Sequence, residues 1–95
     1  MIIRISTEGQ FRVKSAMLDT LADLDEKIIE AVANEKQDEY QTLFNQMIEM
    51  VRNEGEPLEP DELVESIVVL PPPDTTFAEA RKLFVGDGVI PPDLL

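Results

Sequence analysis

Apolar and polar side chains alternate in the two halves of the first fourteen residues, as in strands that bury one face. The segment Thr7-Glu8-Gly9 separates these halves, and Gly9 tolerates the left-handed conformation that a three-residue hairpin loop needs. We therefore predict a β-hairpin with strands at 2–6 and 10–14.

The predicted loop also sets a pairing of side chains across the hairpin. Ile5 then lies opposite Phe11 on the apolar face. On the other face Arg4 lies opposite Arg12, a like-charge pair that is unfavourable unless carboxylates are near. We therefore expect an acidic neighbour for the two arginines, from the same chain or from a partner.

Beyond the hairpin, apolar residues recur every three to four positions, which is the period of an amphipathic helix. Ser15 is a suitable N-cap for a first helix of about twenty residues, and Asn34 marks a break. A second apolar stripe covers residues 36–54, where Gly55 ends the helix and Pro57 prevents its continuation. Two helices joined by so few residues form an antiparallel pair.

An acidic stripe follows the polar side of the first helix. Its members are spaced by four, three and four residues: Asp19, Asp23, Glu26 and Glu30. Such a row is most often a solvated face. The functional alternatives are a docking surface for a basic helix and a weak divalent-cation site.

Side chains inside the two apolar stripes leave further alternatives open. Asp25 falls within the first stripe. It lies either at the edge of the stripe, where it pairs with a base such as Lys14 or Arg12, or inside it as a buried functional carboxylate. The second stripe includes residues that are more typical of a core than of an adaptable binding surface: Phe44, Met47 and Met50.

The last third of the chain predicts one strand and one short helix. An acidic, proline-containing connector at 56–62 precedes a β-branched segment from Leu63 to Leu70, whose clearest strand part is 67–70. Three prolines stop this strand, Thr76 and Glu79 form a capping box, and Gly86 follows the helix. The order ββααβα indicates an α+β fold with a small antiparallel or mixed sheet, as a single domain over 1–95.

Charge and composition narrow the classes of function. The chain has 20 acidic and 8 basic residues, a formal charge of −12, which opposes binding to nucleic acids or anionic lipid surfaces. Residues 1–14 are mainly basic and residues 55–74 are acidic, so these segments either pair with each other or each face a partner. The N-terminal apolar run is too short for a signal peptide and no segment could span a bilayer, so we expect a soluble, cytoplasmic protein.

The residues needed for most catalytic sites are missing. Cysteine and histidine are absent, which removes thiolate nucleophiles, imidazole bases and the usual zinc sites. The segment Gly86-Asp87-Gly88 follows a helix rather than preceding one, so it is not a phosphate-binding loop. We therefore expect no enzymatic activity and no cofactor.

Four segments together resemble the PspA-associated domain family (PspAA). They are Met1–Arg12, Leu70–Asp74, the helical Glu79–Phe84 and Gly86–Pro91, and the similarity covers nearly the whole chain. The resemblance implies a small cytoplasmic partner of PspA-type proteins, the coiled-coil membrane-remodelling proteins of the envelope stress response. It implies no catalytic residues, and recruitment to the inner membrane would then occur through the partner.

We therefore expect a non-enzymatic adaptor or regulator that binds a PspA-like coiled coil and does not insert into the membrane. The residues expected to meet the partner are the acidic stripe and two basic positions: Asp19, Asp23, Glu26, Glu30, Arg4 and Arg12. The alternatives are a carboxylate-based, metal-dependent enzyme using acids around Asp23, Asp25 and Glu26, and a structural subunit of a homo-oligomer.

Overall fold

A mixed four-stranded sheet packs against three helices in the computed structural model, which describes residues 1–62 and 64–94. The elements are β1 (Ile2–Ile5), β2 (Gly9–Arg12), a 3-10 turn (Ser15–Met17), α1 (Leu18–Ala33), α2 (Gln37–Glu54), β3 (Glu56–Pro57), β4 (Val68–Leu70), α3 (Phe77–Leu83) and a 3-10 turn (Pro92–Leu94). The predicted α+β fold and the predicted order of strands and helices are confirmed, with β3 as an additional strand.

The strands lie in the order β3-β2-β1-β4. β1 is antiparallel to β2 and parallel to β4, so the sheet is mixed. β4 begins at Val68, and the predicted strand start at Leu63 lies outside the described residues. The two residues of β3 pair with Phe11 and Arg12 at the edge of the sheet, where a proline such as Pro57 is tolerated.

The hairpin register differs from the prediction. Ile3 pairs with Phe11 and Arg4 with Gln10, so Arg4 and Arg12 are not opposite each other. The loop starts one residue earlier than predicted, because Thr7 takes a left-handed conformation with φ 75° in addition to Gly9. The resulting shift of two residues leaves every side chain on its predicted face, so the apolar pattern could not reveal it.

The predicted cap at Ser15 is wrong. Residues 15–17 form a 3-10 turn in which the Met17 N–H donates to the Lys14 carbonyl at 3.0 Å, and no side chain caps the start of α1. The predicted break at Asn34 is confirmed. Gly55 ends α2 in an extended conformation, and a Cβ there would lie 2.4 Å from the Val51 carbonyl oxygen. Glycine is therefore required by close packing rather than by a left-handed cap.

The core lies between the sheet and the helices. Ile3 and Ile5 of β1 are buried in this core. Tyr40 and Phe44 of α2 stack there with their ring centroids 5.6 Å apart. Phe84 meets both rings edge-on at 6.3 and 6.0 Å. Phe44 and Met47 are fully buried, which confirms the core interpretation for those two residues.

A buried hydrogen bond ties α2 to the segment that follows the prolines. The Tyr40 hydroxyl donates to the Thr75 carbonyl oxygen at 3.0 Å, and burial raises the pKa of Tyr40 to about 12. Directly after it, the predicted capping box is confirmed: the Glu79 N–H donates to the Thr76 hydroxyl at 3.2 Å, and the Thr76 N–H donates to the Glu79 carboxylate at 3.0 Å.

Tyr40→Phe should destabilise the domain by about 1 kcal/mol, because it leaves the Thr75 carbonyl without its donor while the ring packing is kept. Urea unfolding followed by circular dichroism measures the change. Thr42→Val is the control, since the Thr42 hydroxyl bonds to the Asp38 carbonyl on the exposed surface of α2. Equal losses in the two variants would contradict a special role for the buried bond.

Candidate partner-binding surface

The acidic stripe of α1 lies on the surface of the molecule. All four of its side chains are exposed: Asp19, Asp23, Glu26 and Glu30. Among the residues that the structure describes, only one of the four forms a salt bridge, Asp23 with Lys27 at 3.0 Å. The stripe is therefore a nearly uncompensated row of negative charge along about three turns of one helix. Its role in binding stays a prediction.

Asp25 points away from this stripe. Its side chain is only 3% exposed, and its two carboxylate oxygens accept hydrogen bonds from the N–H groups of Val89 at 3.1 Å and Ile90 at 3.0 Å. Pairing with Lys14 or Arg12 is therefore wrong. Burial raises the pKa of Asp25 above its ordinary value, although the two backbone N–H groups oppose that shift.

The carboxylate of Asp25 holds the C-terminal segment onto α1. Gly88 approaches it so closely that a Cβ on this residue would lie 2.5 Å from one carboxylate oxygen and 2.6 Å from the other. Gly88 has φ 70°, and the backbone that follows it turns two successive N–H groups towards the anion. Asp25 thus has a structural partner within the chain, which the apolar period of α1 could not identify.

The acids that motivated a metal-dependent enzyme are not brought together. Asp23 and Glu26 face solvent, whereas Asp25 points into the interior. Over residues 1–62 and 64–94, no group of three or more potential acidic ligands is arranged to hold a metal ion.

Arg4 and Arg12 lie on the outer face of the sheet, because their neighbours Ile3, Ile5 and Val13 point into the core. Both arginines are exposed, and neither forms a salt bridge to the described parts of the chain. The like-charge pair that was expected to need an acidic neighbour is absent, since Arg4 pairs with Gln10.

The acidic segment at residues 55–74 nevertheless passes beside the outer face of the sheet. Glu56 of β3 lies opposite Arg12 in the strand register. The Gln10 amide donates to the Val64 carbonyl at 2.9 Å and to the Ser66 hydroxyl at 2.7 Å, which holds the connection between β3 and β4 near Arg4. The basic and acidic segments are therefore neighbours without being joined by an ion pair among the residues described.

A groove runs between α1 and α2 next to the acidic stripe. Its volume is about 710 Å³. Three apolar side chains form its floor: Met17 of the 3-10 turn before α1, Leu24 of α1 and Met50 of α2. The polar side chains around it include Asp23 and Lys27 from α1, and Glu49 and Glu54 from α2. The apolar pattern favoured a core position for Met50, whereas in the structure this side chain is half-buried and lines the groove.

Comparison with known protein families gives a match over nearly the whole chain. The model of the PspA-associated protein family matches residues 1–92 of the 95-residue chain. The chain belongs to this family. The resemblance inferred from the hairpin, the proline run and the glycine-containing C-terminal segment is thereby confirmed.

The family description names an association with PspA rather than a reaction. Comparisons with curated proteins and with solved structures returned no match. Across the described part of the chain, no helix has both the length and the apolar character needed to cross a membrane.

Proposed function

We propose that this member of the PspA-associated family is a non-enzymatic adaptor or regulator that acts as one domain over residues 1–95. Its partner is a PspA-like coiled-coil protein of the envelope stress response, and that partner recruits it to the inner membrane. The observation that carries the proposal is the family match over residues 1–92. The acidic stripe of α1 supports it, because it presents exposed charge on a rigid element.

Electrostatics supplies the reason for choosing the stripe as the contact surface. Four carboxylates on one helix face attract a basic partner and set the rate of encounter more than the final affinity. The net charge of −12 extends this field over the whole domain. Mutual repulsion within the stripe costs a few tenths of a kcal/mol per i,i+4 pair, and a basic partner would relieve it.

A titration of the isotope-labelled domain with a purified PspA-like coiled coil tests the proposal. We expect the amide resonances of α1 around Asp19, Asp23 and Glu26 to shift in a saturable way, with weaker binding as salt is added. Unchanged amide resonances throughout the domain at high partner concentration and low salt would exclude it.

Reversing the charge of two stripe residues, Asp23→Lys with Glu26→Lys, should slow association with the coiled coil by about tenfold at low salt. The matched control is Asp61→Lys with Glu62→Lys, which changes the net charge equally at exposed positions outside α1. Stopped-flow fluorescence gives both rates, and the difference between the variants should shrink as ionic strength rises.

An equal slowing in both variants would mean that only net charge matters, and an unchanged rate in both would place the contact elsewhere. The outer face of the sheet is then the next surface to test, through Arg4→Glu and Arg12→Glu. Apolar side chains beside Arg4 make this face a reasonable second candidate, since Ile67 is 46% and Val69 52% exposed.

A further inference from the structure

We infer that the groove between α1 and α2 binds the apolar face of a basic amphipathic helix. This inference rests in part on the proposed function, because it assigns the site at which a helix of the coiled-coil partner would dock. It goes further in naming the floor of that site and the chemistry that recognises the occupant.

The shape of the groove suits a helix. Met17 lies directly before α1 and Leu24 follows seven residues later, a separation of about two helical turns or about 10 Å. An added helix lying along the two paired helices would place side chains at i, i+3/i+4 and i+7 over this floor. The volume of about 710 Å³ is enough for several aliphatic side chains, which would fill it side by side along the groove.

The chemistry of the floor suits an adaptable apolar contact. Met17, just before α1, and Met50 of α2 are half-buried, and both line the groove together with Leu24. Methionine side chains are unbranched and can repack around ridges of different shape. Met47, only three residues from Met50, is fully buried in the core, so the two methionines of α2 have different environments.

The charges around the groove select a basic occupant. Glu49 and Glu54 are acidic side chains on the α2 side, of which Glu49 is paired with Arg52 at 2.6 Å, and the acidic stripe borders the α1 side. Among the residues described, Lys27 is the one basic residue that lines the groove, and it is paired with Asp23 at 3.0 Å. A second copy of this chain is a poor occupant, because each copy carries −12 charge and acidic helices.

Methyl spectra of the four methionines test the inference directly. The domain is labelled at its methionine methyl groups and titrated with two probes: a PspA-like coiled coil, and an amphipathic leucine–lysine peptide of about 15 residues, long enough to form a helix. A scrambled peptide of the same composition is the control ligand. We expect larger shifts at Met17 and Met50 than at Met1, on the sheet, and Met47, in the core.

A pair of variants separates the groove from general charge effects. Met50→Lys places a positive charge in the floor and should weaken binding of both probes by about tenfold, as expected for an anchor position. Leu83→Lys makes the same chemical change at an exposed apolar residue of α3, and it should leave binding unchanged. Circular dichroism confirms that both variants fold.

The outcomes distinguish this inference from the proposed function. If the coiled coil binds but Met17 and Met50 do not respond and Met50→Lys has no effect, the groove is not the site and the adaptor proposal stands. If only the amphipathic peptide binds in the groove, the groove inference stands and the PspA-like partner is excluded. Equal binding of the amphipathic and scrambled peptides, or no binding at all, overturns the inference.

Discussion

Gly88→Ala is expected to destabilise the domain by about 3 kcal/mol. A non-glycine residue in the left-handed conformation costs roughly 1–2 kcal/mol, and overpacking by the added Cβ costs roughly 1–3 kcal/mol. The added Cβ would lie 2.5 and 2.6 Å from the Asp25 carboxylate oxygens and 2.7 Å from the Ile29 side chain. The two Asp25 oxygens cannot move freely, since they are held by two backbone N–H groups. Thermal unfolding should show a fall in Tm of about 12 °C or more.

Gly86→Ala is the matched control for this substitution. Gly86 also has a positive φ, 58°, but a Cβ there would meet no atom within 4 Å. It should therefore cost only the conformational part, about 1–2 kcal/mol. If the two variants lose equal stability, the close approach of Gly88 to Asp25 is not what makes glycine necessary there.

The second large effect is expected at Asp25. Asp25→Ala leaves the N–H groups of Val89 and Ile90 without their acceptor, and each unpaired buried donor costs about 1–3 kcal/mol. Removal of the buried charge offsets part of this, so we expect a net loss of about 3 kcal/mol. Urea unfolding measures it, and faster hydrogen exchange at Val89 and Ile90 should accompany it.

Glu26→Ala is the control for Asp25→Ala, because Glu26 is the next residue and is exposed. Its effect on the free energy of unfolding should stay within about 0.5 kcal/mol. A comparable loss in the two variants would show that α1 responds to any lost carboxylate, and not to the removal of the acceptor for the C-terminal segment.

The titration of Asp25 gives this effect a defined dependence on pH. Burial raises the pKa of Asp25 in the folded state above its ordinary value of 3.8, so ionisation is less favourable in the folded chain than in the unfolded chain. The stability that Asp25 contributes is then fully present below pH 3.8 and falls as pH rises through the raised folded pKa.

The difference in the free energy of unfolding between wild type and Asp25→Ala isolates the pH-dependent contribution of Asp25. It should be largest in acid and should decrease towards neutral pH. The carboxylates of Glu8 and Glu79 have lowered pKa values, from hydrogen bonds with Arg52 and Thr76 respectively, and they act in the opposite direction. Their contributions are common to both proteins and cancel in the difference. A difference that grows with pH would contradict the dominance of burial at Asp25.

Local signals explain which parts of the fold could be predicted from the sequence. The capping box of Thr76 and Glu79 involves residues three positions apart, so the sequence alone predicts it. The break at Asn34 and the acidic stripe of α1 likewise follow from helical spacing. The family resemblance rested on segments of this kind, and the match over residues 1–92 confirmed it.

Contacts between distant residues explain the predictions that failed. The hairpin register depends on the backbone conformation of Thr7, and a two-residue shift preserves the apolar faces. The edge strand β3 exists because Glu56 and Pro57 reach β2, a partner more than forty residues away. The acceptor role of Asp25 needs a segment 64 residues further along the chain.

The sequence by itself determined the apolar stripes, the capping box of α3, the break between the two long helices and the surplus of acid, because each depends on neighbouring residues or on composition alone. Only the tertiary structure decided that Asp25 binds the backbone after Gly88, that Arg4 and Arg12 are separated, and that Met17, Leu24 and Met50 share a groove. The physical reason is the same in each case. Burial and hydrogen bonding are set by which surfaces meet, and a periodic pattern specifies a face without specifying its partner.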